Sequence, residues 1–419
     1  MEVKLGYKQT DVGVIPEDWN ISRLGDLCQK IQDGTHFSPR IRGGDFLYVT
    51  SKNIGFGTLD VSDAERIDAE QHAAIYKRCD VRKNDLLLTK DGANTGNAAL
   101  NTLSEPFSLL SSVAFLRFDE EKHAPGYFLQ QILSDTGQRK IKEAMSGNAI
   151  TRLTLEKINN LRFITPPVVE QHAIATALSD MDALLDGLDR LIAKKRAIKQ
   201  ATMQQLLTGK TRLPGLSGAW KIKRLGDLGA TYGGLVGKNK SDFGTGSAKY
   251  VPFINVIANV QIDCTAFDAV NVEATENQNK VAKGDLLFNG SSETPEEVAL
   301  CSFMAKEVKN LYLNSFCFGL RVKNPEMIDG LFLAYYIRSP IGRDLMKSLA
   351  QGSTRYNLSK RALLEAQLPL PEKEEQTAIA TALSDMDAEI TALETRRTKT
   401  RALKQAMMQE LLTGRTRLV

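Results

Sequence analysis

The eleven residues AIATALSDMDA stand at Ala173–Ala183 and again at Ala378–Ala388. From Glu170 to Leu213 and from Glu375 to Leu418 the chain matches itself without gaps at a constant offset of 205, with about two-thirds of positions identical. Internal repeats of this kind mean that one piece of structure is built twice. Weaker echoes extend the repeat over the rest of the chain. Trp19-Asn-Ile-Ser-Arg-Leu-Gly-Asp-Leu27 answers Trp220-Lys-Ile-Lys-Arg-Leu-Gly-Asp-Leu228, Lys83-Asn-Asp-Leu-Leu87 answers Lys283-Gly-Asp-Leu-Leu287, and Thr151-Arg152 answers Thr354-Arg355. The order is globular unit, helix, globular unit, helix. The helical segments are nearly identical while the globular units share only scaffold-like positions, so two similar handles carry two different heads.

The handles have the spacing of a coiled-coil seam. Ile174, Leu178, Met181, Leu185, Leu188 and Ile192 recur at intervals of four and three, and Ile379, Leu383, Met386, Ile390 and Leu393 repeat the pattern. Pro166-Pro167 and Pro369/Pro371 precede the two segments and Gly209 and Gly414 follow them, the expected start and stop chemistry. A helix of about 40 residues is roughly 60 Å long. Each has an acidic N-terminal half (Asp180, Asp182, Asp186 and Asp189; Asp385, Asp387, Glu389 and Glu394). Each has a basic C-terminal half (Arg190, Lys194, Lys195, Arg196 and Lys199; Arg396, Arg397, Lys399, Arg401 and Lys404). Such halves suit the helix dipole, and antiparallel pairing sets every acidic half beside a basic one. We therefore expect an antiparallel pair, a pseudo-twofold repeat with the heads at opposite ends of a rod, and a cyclic organisation. Leu206–Leu213 runs on into the second head whereas Leu411–Leu418 stops, so its missing continuation is the Trp19 segment and the chain ends should lie close together.

Composition sets the remaining bounds. With 419 residues, 42% hydrophobic and 25% charged, the chain is of soluble globular type and long enough for several domains. Five scattered cysteines without a CxxC pair argue against a disulfide framework and a zinc site, and the four histidines (36, 72, 123, 172) show no metal or triad spacing. No apolar run reaches the roughly 20 residues of a membrane helix and the N-terminus lacks a signal-type apolar core, so a cytoplasmic location is expected. The net charge of +4 is compatible with a polyanion partner without identifying one.

Two divergent units with Trp-x-Ile-x-Arg-Leu-Gly-Asp-Leu segments, separated and followed by duplicated helices of the form EQxAIATALSDMDA…LLTG, resemble the DNA-specificity subunit of type I restriction-modification enzymes. The resemblance covers essentially the whole chain. It implies an α+β protein: target-recognition domain 1 over residues 1–165, a central conserved spacer helix over 166–209, target-recognition domain 2 over 210–370, and a C-terminal spacer helix over 371–419. It also implies a non-catalytic subunit. Each domain would read one half of a split, asymmetric double-stranded DNA target. Two copies of a modification (methyltransferase) subunit would dock on the repeated helices, and restriction/translocase subunits would join them. S-adenosylmethionine, ATP and Mg would belong to those partners, leaving no cofactor and no metal in this chain. Half-sites read from one face of B-DNA lie roughly 34 to 36 Å apart, a distance that a rod near 60 Å can span.

DNA-facing candidates in the first head are the polar loops DGTHFSPRIR (Asp33 to Arg42) and KDGANTGN (Lys90 to Asn97), with Thr35, His36, Arg40, Arg42, Lys90 and Asn94 singled out, followed by Arg152. In the second head they are Lys238-Asn239-Lys240 and Asn289 to Glu293 (Asn289, Ser291, Ser292, Glu293), followed by Arg355 and Tyr356. Base readers need donors and acceptors on groove-directed loops with Lys/Arg on phosphates, although Gly-rich polar loops are also ordinary turns. Arg152 and Arg355, matched by the repeat, suit phosphate contacts or structural ion pairs better than base reading. Strands are expected at Phe46–Val49, Leu86–Thr89, Val113–Phe118, Tyr250–Ile254 and Phe316–Val322, and helices near Tyr127–Met145 and Leu331–Leu349.

Two rival classes fit the sequence less well. A self-contained DNA methyltransferase would need a cofactor loop and an adenine-holding motif. Asp242-Phe-Gly-Thr-Gly246 lacks the preceding strand and following helix of the first. Ile164-Thr-Pro-Pro-Val168 lacks both the polar residue and the aromatic stacker of the second. A structural coiled-coil scaffold would explain the helices and leave the two diverged heads without purpose. No Walker-type Gly-Lys-Ser/Thr motif is present.

Overall fold

The computed structural model describes residues 5–40, 43–145 and 152–418. It divides into two compact units, 1–189 with 395–419, and 190–394. The boundary cuts through each of two long helices, Val168–Leu206 and Lys373–Leu411, which are 39 residues each and start at positions 205 apart. Each unit thus contains one head, one half of the first long helix and the opposite half of the second.

The heads repeat strand by strand. In the first unit a four-stranded antiparallel sheet runs in the order Cys28–Asp33, Val113–Phe118, Leu86–Thr89, Ala98–Leu100, and in the second the order is Gly229–Gly233, Cys317–Val322, Leu286–Asn289, Cys301–Phe303. A three-stranded sheet accompanies each. Phe46–Val49 pairs antiparallel with Glu65–Ile67 and parallel with Ser108–Leu109, and Phe243–Val251 does the same with Asp268–Val270 and Leu311–Leu313. The segment after each tryptophan pairs with the strand that leads into the long helix: Asn20–Arg23 with Arg162–Thr165, and Lys221–Arg224 with Gln367–Leu370. The fold is therefore the expected mixture of sheets and helices, made twice.

Three expected strands have the expected bounds, and the fifth begins one residue later, at Cys317. The strand expected at Tyr250–Ile254 ends at Val251, because Pro252 withholds a ladder N–H and caps the short helix Phe253–Ala258. Each of the two expected head helices is broken in the middle. Pro125–Leu133 and Asp135–Met145 meet at Ser134, and Gly330–Arg338 and Pro340–Leu349 meet at Ser339. Each serine hydroxyl accepts from a glycine N–H three residues on, Gly137 at 3.0 Å and Gly342 at 3.2 Å, which starts the second helix afresh. Pro340 reinforces the break in the second copy.

The repeated motif is explained largely by what it holds inside its own unit. Ile174 and Leu178, and likewise Ile379 and Leu383, are buried in the main core of their head. Gln171 accepts from the Ala124 N–H (2.9 Å) and donates to the Pro166 carbonyl (2.8 Å), and Gln376 makes the same pair of bonds with Asp329 and Pro371. Asp182 accepts from Gln130 of its head (3.0 Å) and from Lys404 of the other long helix (2.6 Å). Asp387 accepts likewise from Tyr335 (2.7 Å) and from Lys199.

Within each unit the two helix segments are antiparallel, and acidic residues meet basic ones as the charge pattern requires. Asp182 pairs with Lys404 and Asp189 with Arg397 in the first unit, and Lys195 with Glu389, Arg196 with Glu394 and Lys199 with Asp387 in the second. Of the seam positions, Ile174, Leu178, Leu188, Ile192, Ile379, Leu383 and Ile390 are buried, and Met181, Leu185, Met386 and Leu393 are half-buried.

Both ends of the chain belong to the first unit. The Tyr7 hydroxyl donates to the Gly414 carbonyl (3.0 Å), and Arg417 donates to Asp18 (2.9 and 3.0 Å) and to Glu170 (2.6 Å). Glu170 also accepts the Trp19 indole N–H at 3.0 Å. In the second unit Arg212 pairs with Glu375 in the same way within a continuous chain. The cyclic organisation is thus closed by side chains in one copy and by the backbone in the other. Gly414, at φ +72°, must be glycine twice over, because a Cβ there would stand 2.5 Å from the Pro16 ring.

Candidate nucleic-acid interface

In the first unit the singled-out loops converge on two aspartates. Asp33, the buried last residue of its strand, accepts from Arg78 (3.3 Å), faces His36 Nε2 at 3.1 Å and lies 3.5 Å from the Lys90 ammonium. Lys90 itself is buried and donates to Asp91 at 2.9 Å. Arg152 grips the same Asp91 through Nε and Nη2 at 2.8 and 3.2 Å. Burial works to raise the Asp91 carboxyl, but the bonds from Arg152 and Lys90 prevail and hold it below its ordinary value. Lys90 is therefore an internal counter-ion, whereas His36, Arg78 and Arg152 leave more than half of their side-chain surface open around the same acidic pair.

The loop after Asp33 is held in shape by close packing. A Cβ on Gly34 would lie 2.0 Å from the Leu109 carbonyl oxygen, so only glycine allows the chain to cross there. Thr35 is buried, donates its N–H to that same carbonyl at 2.8 Å and turns the chain through its hydroxyl, while His36 and Phe37 face solvent. Arg40 is exposed, and its backbone is clamped at both N–H and C=O by the Gln71 amide. Asn94 is exposed on the turn after Lys90. Arg42 lies outside the described residues.

The second unit gathers a different set at the equivalent strand end. Asn289 is fully buried and all its amide bonds are internal: it donates to the Ser291 and Glu297 carbonyls and accepts from the Leu300 N–H. It shapes the loop. Ser291 and Ser292 pair as a short strand with Asn357 and Tyr356. Arg355 reaches the Ser291 hydroxyl at 3.4 Å and lies over the Phe316 ring at 5.8 Å. Phe316 and Glu293 are exposed. Arg152 and Arg355 thus have equivalent duties, each anchoring the residue two places beyond its central strand. Lys238-Asn239-Lys240 stands on another loop. Lys238 is paired with Glu276, whose carboxyl it holds down at about 2, Asn239 caps a short 3-10 turn, and Lys240 is exposed. Asp242 belongs to that turn and the strand begins at Phe243, so DFGTG opens a strand here.

Asp33 and Asp91 lie inside the two candidate loops without being singled out there, and Arg78, Gln71 and Phe316 lie outside every candidate loop. The first four act through partners far away in the chain. Phe316 was absorbed into an expected strand, although the polar Asn314-Ser315 before it was a signal that the turn continues. The chemistry on offer is hydrogen bonding and charge. Burial raises the thiols of Cys28, Cys79, Cys301 and Cys317 and keeps them protonated. Among the described residues no three His, Cys, Asp or Glu side chains are grouped to hold a metal, and no helix is long and apolar enough to cross a membrane.

The chain matches the type I restriction modification DNA specificity domain twice, over residues 16–199 and 218–402. It is 23% identical to the putative type I restriction enzyme MjaX specificity subunit of Methanocaldococcus jannaschii, covering 98% of this chain and 97% of that one. To the type I restriction enzyme MjaVIII specificity subunit of the same organism it is also 23% identical, covering 96% and 94%. The type I restriction-modification system S subunit from M. genitalium has a similar fold, with a TM-score of 0.60 at 17% identity over 98% of this chain and 99% of that one. A chain from a structural study of type I R-M complex assembly and conformational transition superposes with a TM-score of 0.54, at 17% identity over 96% and 99%. Two diverged heads, each with its own polar loop cluster on a common scaffold and each paired with half of two repeated helices, belong to one family: this chain is a member of the type I restriction-modification DNA specificity proteins.

Proposed function

We propose that this chain reads a bipartite, asymmetric double-stranded DNA target, one half with each head, and holds two copies of a DNA adenine methyltransferase subunit, with restriction/translocase subunits added to them. The chain itself is non-catalytic in this reading, and S-adenosylmethionine, ATP and Mg act in the partners. One observation supports it best. The heads share a scaffold but differ at the strand-end loops, where Lys90 and Asp91 in one stand against Gly290 and Ser291 in the other, beside an arginine that both keep (Arg152 and Arg355). Reading two different half-sites requires this divergence.

The assembly part rests on the identical motif residues that the fold leaves outside. Thr176, Asp180 and Ala183 are exposed on one face of their helix, and Thr381, Asp385 and Ala388 on the same face of theirs. With the apolar and paired positions engaged inside the units, a partner met twice accounts for identity on these outer positions. The test is methylome sequencing of a host carrying this chain with its modification subunit, beside hosts carrying either alone. A split methyladenine motif present only with the pair supports the reading. Methylation with this chain alone would overturn the non-catalytic assignment.

A further inference from the structure

A cavity of about 370 Å³ opens in the first unit beside the DGTHFSPR loop, lined by Ser38, Tyr48, Lys52, Asn53, Asp63 and Glu65 among others. That volume is at the small end for ligand sites, enough for a single ring system. Tyr48 is 4% exposed, and its hydroxyl is closed off from solvent with no hydrogen-bond partner. Native structures seldom leave a buried hydroxyl unpaired without a reason. Burial, with the nearby Glu65 charge, pushes this phenol up to about 12, so it remains a donor at neutral pH. Two carboxylates against one lysine make the lining unsuitable for a phosphate. Asn53 donates to Asp63 and steadies it.

The second unit supplies an internal control. Tyr250 occupies the matching strand position, and there the hydroxyl is taken up by Asp268 at 3.4 Å while the Phe243 ring packs edge-on against it at 5.2 Å. Asp268 faces Tyr250 across the strand pair as Glu65 faces Tyr48. The second unit thus gives its tyrosine a partner and a flanking ring, whereas the more deeply buried Tyr48 hydroxyl has no hydrogen-bond partner. Since positions shared by the heads cannot account for different half-sites, a difference of this kind is where specificity is expected.

We propose that this cavity receives the edge of one adenine of the half-site read by the first head, with Glu65 and Asp63 accepting from the N6 amine and the Tyr48 hydroxyl, which must be uncovered on binding, donating to N7. In the major groove adenine presents a donor beside an acceptor, complementary to a carboxylate beside a hydroxyl, whereas cytosine presents a donor alone. The proposal rests on the DNA-reading function proposed above.

The test uses the complex of this chain with its modification subunit and the duplex identified by methylome sequencing. Each adenine is replaced in turn by purine, which lacks the amine, or by 7-deazaadenine, which lacks N7. At one adenine of one half-site, either replacement should weaken binding by roughly ten- to hundred-fold. Glu65→Ala, which removes the acceptor where Gln would keep one, should shrink the penalty for purine, and Tyr48→Phe should remove that for 7-deazaadenine. Tyr48→Phe deletes an unpaired buried hydroxyl, so its melting temperature should hold or rise, and it keeps the test valid if Glu65→Ala fails to fold. Variants that retain the wild-type profile at every position, or lose sensitivity only at a cytosine, overturn the assignment. A wild-type pair that methylates no split motif defeats the functional reading instead, which is a separate outcome.

Discussion

The two units contain the same glutamate in different surroundings, and this sets a quantitative prediction. Glu170 is fully buried and accepts both the Trp19 indole N–H at 3.0 Å and Arg417 Nε at 2.6 Å. Glu375 is 3% exposed and accepts from Arg212, while the indole N–H of Trp220 is buried without a partner. Glu170→Ala therefore strands a buried donor, at about 1–3 kcal/mol. It also removes an arginine pair whose partner keeps Asp18 and partial access to water, at roughly 1 kcal/mol. Glu375→Ala loses only the arginine pair, about 1 kcal/mol, because the second indole is already unpaired. The first substitution should cost its unit about 1–3 kcal/mol more than the second costs the other. Because the chain has two units, a single global unfolding free energy is not well defined. Native-state hydrogen exchange resolves the matter through peptides covering residues 19–28 and 220–229. Equal losses in the two units, or a larger loss at Glu375, would refute the role given to the Trp19 bond.

Four further outcomes are expected. Leu178→Ala and Leu383→Ala, each at a fully buried side chain, should cost their own unit about 2–5 kcal/mol by hydrogen exchange, whereas Asp180→Ala on the exposed face should cost under about 0.5 kcal/mol. Acid should destabilise the protein in two stages. Desolvation lowers the His72 pKa, so below 6.5 the unfolded chain takes up that proton more readily than the folded one; further down, burial tends to raise Asp80, but Lys30 and Arg117 outweigh it and hold the carboxyl at about 2, so its contribution is lost as pH falls from 3.8 towards that value. A melting temperature flat from pH 7 to pH 3 would contradict this. If Arg152 meets a phosphate, Arg152→Ala should weaken binding about equally for all sequences and reduce the salt slope by about one, whereas a change in sequence preference would make it a base reader. Four residues, about one helical turn, inserted within Glu170–Leu207 should alter the spacing between half-sites and leave both halves unchanged, and a changed half would count against the helix as spacer.

Repeat, long helices and charge halves were legible in the sequence because their causes are local or periodic. The 4-3 seam, the prolines before it and the glycines after it all act within a few residues, and the observed helices start 205 apart as the repeat demands. The breaks at Ser134 and Ser339 were hidden because apolar periodicity continues across them and only a hydroxyl-to-glycine bond marks the restart. The interface was harder to read, since a polar residue in a loop looks the same whether it faces DNA or a buried counter-ion. Lys90 is neutralised by Asp91 beside it and by Asp33, 57 positions earlier, and Lys238 by Glu276, 38 positions later. Asn289 has the look of a base reader and is buried with its amide satisfied by backbone. Such pairings exist only once the sheet order brings strand ends together. The repeated motif has the opposite lesson: much of its identity is explained by the head and the helix that it grips, and only its outer positions are free for a partner.

The most direct measurement is methylome sequencing after exchanging one head. Residues 20–165 would be replaced by the corresponding segment of another member of the family, and the hybrid expressed with the unchanged modification subunit. The account predicts a split methyladenine motif in which one half changes, while the other half and the spacing persist. A motif unchanged by the exchange, or one altered in both halves at once, would contradict the assignment of one half-site to each head.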